Sequence, residues 1–209
     1  MDYTIPLTKV RAEVVHLRSR FIATLAPVKD TNEARAFIRS IRQEFPDASH
    51  NVPAYIIGGG KNVIDYCSDD GEPAGTSGRP VLTVLRGSGL GDVVLVVTRY
   101  FGGTLLGTGG LVKAYTDAAQ EVLKNVIRAK RVAVDVILVE VNYPIYERVK
   151  LSILQAGGDV LEELFTEVVS IRYQIESGFQ RDLMVSLTDL SAGKAKFQVL
   201  GSETKLIAL

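Results

Sequence analysis

The sequence predicts a two-domain α+β protein, and three observations carry that expectation. Residues 93–97 are apolar without a break, the pattern of a strand buried on both faces. The second half reads as strand, helix, strand, strand, helix, strand, a βαββαβ unit. Between these parts the character changes at Ala129-Lys130-Arg131, which sets the expected domains at 1–131 and 132–209. A chain of 209 residues is long enough for two small domains with a core each.

Taken in order, Arg20-Phe21-Ile22-Ala23-Thr24-Leu25 is the first expected strand, ended by Pro27. Asp30 followed by Glu33 has the spacing of a capping box. Ala34, Ile38, Ile41 and Phe45 then recur at helical spacing until Pro46. Arg35, Arg39 and Arg42 fall at i, i+4 and i+7, so they line one side of that helix as a basic stripe. Residues 53–57 read as a short strand before a turn at Gly58-Gly59-Gly60. Pro80 suits the first turn of a helix running to about Gly87. After the apolar strand, a helix is expected over 111–128 with Leu111, Tyr115, Ala118, Val122 and Val126 on one side.

In the second half a strand over 132–141 leads to a helix opened by Pro144 and closed by Gly157-Gly158 after Gln155. A strand around 160–165 precedes residues 169–176, which alternate apolar and polar without a miss, so their sheet has one packed and one wet face. A helix bearing Phe179, Leu183 and Leu187 and a last strand near 195–200 complete the unit.

Bulk properties exclude several classes. Lys plus Arg and Asp plus Glu each number 24, so the whole surface does not grip nucleic acid by net charge, although a local basic patch is compatible with neutrality. No window approaches the roughly 18 apolar residues of a membrane helix, and the start Met1-Asp2-Tyr3-Thr4-Ile5-Pro6 lacks a signal-peptide pattern. A lone Cys67 leaves no internal disulfide or multi-cysteine zinc site, which fits a reducing cytoplasm. His16 and His50 are the two histidines. With no nucleophile elbow or ordered triad, a covalent hydrolase has little support, and no catalytic residue is assigned.

Chemistry can sit in three places. The segment containing Gly102, Gly103, Gly107, Gly109 and Gly110 joins the buried strand to the long helix. It serves either tight packing or anion recognition at a helix start, and it matches neither G-x-G-x-x-G nor G-x-x-x-x-G-K-[ST], so no cofactor is expected. Arg99, at the strand's end, either grips a phosphate or pairs internally with Asp69, Asp70 or Glu72. That acidic loop offers oxygen ligands for a cation, but lacks the EF-hand pattern, and turns and caps explain it as well; no metal is expected. Finally Arg35, Arg39 and Arg42, with Lys113 and, near the end of the long helix, Lys124, Arg128, Lys130 and Arg131, form either a solvated face or an RNA-backbone footprint, with Tyr100 and Phe101 as stacking residues.

The run Gly91-Asp92-Val93-Val94-Leu95-Val96-Val97-Thr98-Arg99-Tyr100-Phe101-Gly102-Gly103-Thr104-Leu105-Leu106-Gly107 resembles a signature of the IMPACT/YigZ family, and Ser68-Asp69-Asp70-Gly71-Glu72-Pro73-Ala74-Gly75-Thr76-Ser77-Gly78 resembles its second block. Ser19-Arg20-Phe21-Ile22 and His50-Asn51 also look like family positions; Val52 stands where many relatives have cysteine, so no thiol role is carried over. The resemblance spans roughly 10–130, and the remainder is similar to the ferredoxin-like C-terminal domain of bacterial members. It implies an N-terminal fold like the second domain of a small-subunit ribosomal protein and like domain IV of elongation factor G. The resemblance also implies that eukaryotic relatives act in translational control by binding an activator of a starvation-sensing kinase; they carry an extra N-terminal protein-binding domain for which this chain has no room, so that partner is not transferred.

The expected function is therefore non-catalytic binding to RNA, the ribosome or a translation-related protein, with no membrane and no sequence-specific reading of DNA. The competing expectation is an enzyme or sensor for a small phosphorylated ligand at Arg99 and the glycine-rich loop. A third is a protein scaffold using the open face opposite Val169, Ile171, Tyr173 and Ile175.

Overall fold

The computed structural model describes residues 3–59 and 62–209, which form two sheets and five helices. They fall into two compact units, residues 1–130 with 207–209 and residues 131–206. Gly60, part of the expected turn, lies outside the described residues. Among those residues no helix is long and apolar enough to cross a membrane.

The first unit contains β1 (Ile5–Pro6), β2 (Val10–His16), β3 (Ser19–Pro27), α1 (Thr31–Glu44), β4 (His50–Gly59), β5 (Asn62–Cys67), α2 (Gly78–Gly87), β6 (Val93–Tyr100) and α3 (Gly107–Lys124). Its sheet runs β2-β3-β6-β4-β5, antiparallel throughout. The apolar run occupies the central strand, and all five of its residues are sealed from solvent. Alternation explains why both faces must be apolar. Val93, Leu95 and Val97 pack under α2 and α3 with Phe21, Leu25, Leu85 and Tyr115. Val94 and Val96 pack under α1 with Ala34, Ile38, Ile41 and Tyr55.

Helix α1 begins where the caps require. The Asp30 carboxylate accepts from the amides of Asn32 and Glu33 at 2.7 and 2.8 Å. Glu33 reaches back to the amide of Lys29, one residue before the usual capping-box partner. β2 is an element the sequence did not disclose, because its residues alternate between half-buried and exposed and include Arg11, Glu13 and His16.

Two boundaries of α3 differ from the expectation. The helix starts at Gly107, not 111, although Gly-Thr-Gly-Gly has poor helix propensity; Leu106 and Leu111 pack into the core below and hold that turn in place. It stops at Lys124, so Val126 and Arg128 lie outside it; Arg128 instead opens β7 (Arg128–Val141) by pairing with Pro6.

The second unit takes residues 131 onward of β7, then α4 (Tyr143–Gln155), β8 (Asp159–Phe165), β9 (Val169–Glu176), α5 (Gln180–Leu190) and most of β10 (Lys196–Ala208). β7 pairs with β9 and β10, and β9 with β8. The alternation in β9 is realised: Val169, Ile171, Tyr173 and Ile175 are buried with Ile137, Val149, Ile153, Leu183 and Leu187. Phe179 does not join that core; it caps α5 from outside and is 56% exposed. β10 is longer than expected because most of it is exposed and carries no apolar period to read.

The buried Tyr173 hydroxyl has no hydrogen-bond partner, and burial pushes its phenol up to about 12. An unsatisfied buried hydroxyl costs about 1–3 kcal/mol. Tyr173→Phe is therefore expected to leave stability unchanged or raise it by up to about 1 kcal/mol, read as the urea midpoint; a clear loss would show that the hydroxyl is bonded.

Candidate functional site

The register of the first sheet sets three residues side by side on its α3 face. Arg99 on β6 pairs with Phe21 on β3 and with His50 on β4. Arg99 follows the sealed strand at the same parity as Val93, Leu95 and Val97, so its stem runs through the edge of the core and it is only 5% exposed. Its guanidinium sits over the rings of Phe21 and Phe101 at 5.5 and 5.7 Å. Its Nη1 donates to Glu72 Oε1 at 2.6 Å, and Glu72 is itself buried. The Tyr115 hydroxyl donates to the same oxygen at 2.8 Å, and His50 Nε2 lies 3.8 Å from it. Burial first, then the charge of Glu72, pushes the Tyr115 phenol well above its usual value, so it stays a hydrogen donor. Arg99 Nε is buried without a partner.

Beside this cluster opens a concavity of about 510 Å³. Pro73, Phe101, Leu105, Leu106 and Leu111 form its apolar lining, and His50, Glu72 and Arg99 its polar part. His50 Nδ1 lies 2.8 Å from the carbonyl of Asp70, so it carries the proton that bonds there.

The acidic loop is divided among separate partners. Asp69 accepts from the amides of Gly75, Ser77 and Gly78 and from the Ser77 hydroxyl. Asp70, in a left-handed conformation at φ 49°, pairs with Arg42 at 2.5 Å and accepts the Asn51 amide at 2.7 Å. Glu72 takes Arg99. Among the described residues no three His, Cys, Asp or Glu side chains converge as a metal-binding group.

Burial pushes the Asp69 carboxyl up, but the amides of Gly75, Gly78 and Ser77 and the Ser77 hydroxyl outweigh it and hold the group below its ordinary value. With the folded pKa depressed, this contribution is full above the unfolded carboxylate range and is lost as pH falls through the lower folded value. Asp69→Ala is expected to cost roughly 2–3 kcal/mol at neutral pH, and the gap from wild type should narrow in acid urea titrations. A gap independent of pH would contradict the charge-based part of this role.

The glycines have unlike roles. A Cβ on Gly102 would collide with the Arg18 carbonyl carbon, and its amide donates to Ser19 Oγ at 3.1 Å, so it packs against the β2–β3 turn. Gly107 has φ 72° with nothing near its Cβ position, a backbone requirement at the helix start. Gly103 is exposed, and Gly109 and Gly110 form the first turn of α3. No side chain caps that turn, and Gly107 and Thr108 border the concavity.

On the opposite face, Arg35, Arg39 and Arg42 line a groove of about 280 Å³ with Ile38, Tyr55 and Tyr66. Arg35 and Arg39 are exposed and have no ion-pair partner among the described residues. Arg42 is tied to Asp70 but remains half exposed. Tyr66, 45% exposed, stacks on Tyr55 with centroids 5.2 Å apart and planes 22° from parallel. The sequence reading missed this pair; the signal was the β4–β5 register, which sets the two tyrosines opposite each other across the hairpin.

The other basic candidates are not gathered as expected. Lys124 ends α3 and pairs with Glu121, whereas Arg128, Lys130 and Arg131 lie on β7 because the helix stops early. Arg128 donates to Thr4 Oγ1 and to the Ser88 carbonyl. Lys113 pairs with Asp117. Of the proposed stacking residues, Tyr100 bonds Asp47 under Arg20, and Phe101 is 49% exposed at the concavity.

Comparison with known proteins matches this architecture. The Impact N-terminal domain family covers residues 17–123, the segment that supplies Arg99, the acidic loop and α1. The IMPACT family member YigZ of Escherichia coli (strain K12) is 34% identical over 193 residues, 92% of this chain and 95% of that protein. The IMPACT family member YvyE of Bacillus subtilis (strain 168) is 34% identical over 183 residues, 88% and 84% of the respective chains. A crystal structure described as that of a hypothetical protein superposes with a TM-score of 0.59 at 32% identity, covering 95% of this chain and 97% of the other. The domain match and this identity along nearly the whole length make the chain a member of the IMPACT family.

Proposed function

We propose that this protein is a non-catalytic, cytoplasmic RNA-binding protein that acts in association with the translation apparatus. The observation that carries the reading is the α1 groove: three arginines at one helical face beside an exposed Tyr66 that stacks on the buried Tyr55. Guanidinium groups hold phosphates through paired N–H donors, and an aromatic face receives an unstacked base. A local patch of this kind supports the reading even though the chain carries zero net charge.

We read the first unit as similar to the second domain of a small-subunit ribosomal protein and to domain IV of elongation factor G, and the second unit as ferredoxin-like. The strand neighbours β10-β7-β9-β8 with α4 and α5 support the latter reading. The ribosome is then the site where such RNA is met, an inference by analogy of fold. Catalysis draws no support from the buried cluster, because Glu72 is held by Arg99 and Tyr115 and serves as their acceptor.

Fluorescence anisotropy with a short single-stranded RNA tests the proposal. Binding is expected at low salt and should weaken steeply as salt is added. No binding at low salt would overturn it.

A further inference from the structure

We infer that the concavity beside Arg99 receives one unstacked nucleobase of the RNA strand whose phosphates lie on the α1 arginines. The inference rests on the RNA-binding reading and adds to it the place where a base is read.

The cluster is neutral but its hydrogen-bonding capacity is incomplete. Arg99 and Glu72 cancel each other's charge, so a phosphate placed against Arg99 would also meet a carboxylate 2.6 Å away. A neutral group meets no such penalty. Arg99 bonds Glu72 through Nη1 alone, and its Nε is buried without a partner. The Glu72 carboxylate receives Arg99, Tyr115 and the approach of His50 all at Oε1. The remaining donors of the Arg99 guanidinium beside Glu72 Oε2 complement the adjacent donors and acceptors on the Watson–Crick edge of a base. An aliphatic side chain offers no such edge.

Shape and surroundings agree with that chemistry. About 510 Å³ is the size of a small-ligand site, and its apolar lining suits the faces of a planar ring. Phe101 stands half exposed with one side toward Arg99, available for stacking. The uncapped start of α3, where Gly107 and Thr108 border the concavity, offers amide N–H groups to the phosphate of the same nucleotide. One loop residue ties a lining residue of the concavity to one of the arginine groove. Asp70 holds Arg42 with its carboxylate and His50 with its carbonyl, and the inferred strand passes over this loop between the two sites.

The test compares a short single-stranded RNA with an abasic ribose-phosphate strand of equal length, bound to wild type, Phe101→Ala and Thr108→Trp. Both substituted residues are exposed, and unchanged melting temperatures establish that the variants fold. Wild type is expected to prefer the base-bearing strand by about tenfold or more. Phe101→Ala removes the stacking face and Thr108→Trp fills the concavity, so both should reduce the preference for the base-bearing strand to a few-fold. Equal binding of both strands by wild type, or full preference in both variants, overturns the inference while the arginine groove stands. Failure of wild type to bind either strand at low salt overturns the RNA-binding reading and this inference together.

Discussion

Glu72→Ala is expected to lower unfolding stability by about 3–5 kcal/mol, the cost of leaving a buried charge without its partner. Arg99 is 5% exposed and its Nε already lacks a hydrogen bond. Removing Glu72 would leave its guanidinium uncompensated in the core and would strip the Tyr115 hydroxyl of its acceptor as well. The side chain cannot escape to water without abandoning Phe21 and Phe101, over which it lies. Glu72→Ala combined with Arg99→Met should recover most of the loss, since a buried pair replaced by apolar groups is often neutral. Urea titrations followed by circular dichroism of wild type and both variants provide the measurement. A Glu72→Ala midpoint near wild type would show that Arg99 is solvated, and no recovery in the double variant would show that the loss arises elsewhere.

Replacing Arg35, Arg39 and Arg42 together by alanine is expected to weaken binding of single-stranded RNA by about a hundredfold near 0.1 M salt. The size follows from counterion release: each lost phosphate contact on a single strand removes about 0.7 from the logarithmic salt slope. Stability should change little for Arg35 and Arg39, which are exposed and unpaired among the described residues. Arg42 also holds Asp70, an exposed pair of the kind worth less than about 1 kcal/mol. The loss should also be similar for RNAs of different sequence, because phosphate contacts position a strand without reading it. A loss confined to one sequence would mean that these arginines contact bases.

Much of the site's frame was legible in the sequence because it depends on period. Five apolar residues in a row demand a central strand with cover on both faces, and an arginine two residues beyond them must sit at its end. The i, i+4, i+7 spacing likewise put Arg35, Arg39 and Arg42 on one face of α1 before any coordinates. The partner of Arg99 was narrowed to three carboxylates but not chosen, because the choice depends on loop geometry: Asp69 is taken by amides of its own loop, and the left-handed backbone at Asp70 turns that side chain toward Arg42. Tyr55 and Tyr66 could not be paired without the β4–β5 register. Lys124 parts from Arg128, Lys130 and Arg131 because α3 ends at Lys124 and Arg128 opens β7 by pairing with Pro6. β2 escaped notice because an edge strand with charged alternate residues resembles a loop in composition.

The most direct measurement of the central claim is the salt dependence of RNA binding for three proteins: wild type, the Arg35/Arg39/Arg42→Ala variant, and a charge-matched Lys113/Lys124/Lys130→Ala control. The account predicts a slope flattened by about 2 in the arginine variant and a wild-type slope in the control. Equal slopes in all three, or flattening in the control alone, would contradict the placement of the phosphate-binding surface on α1.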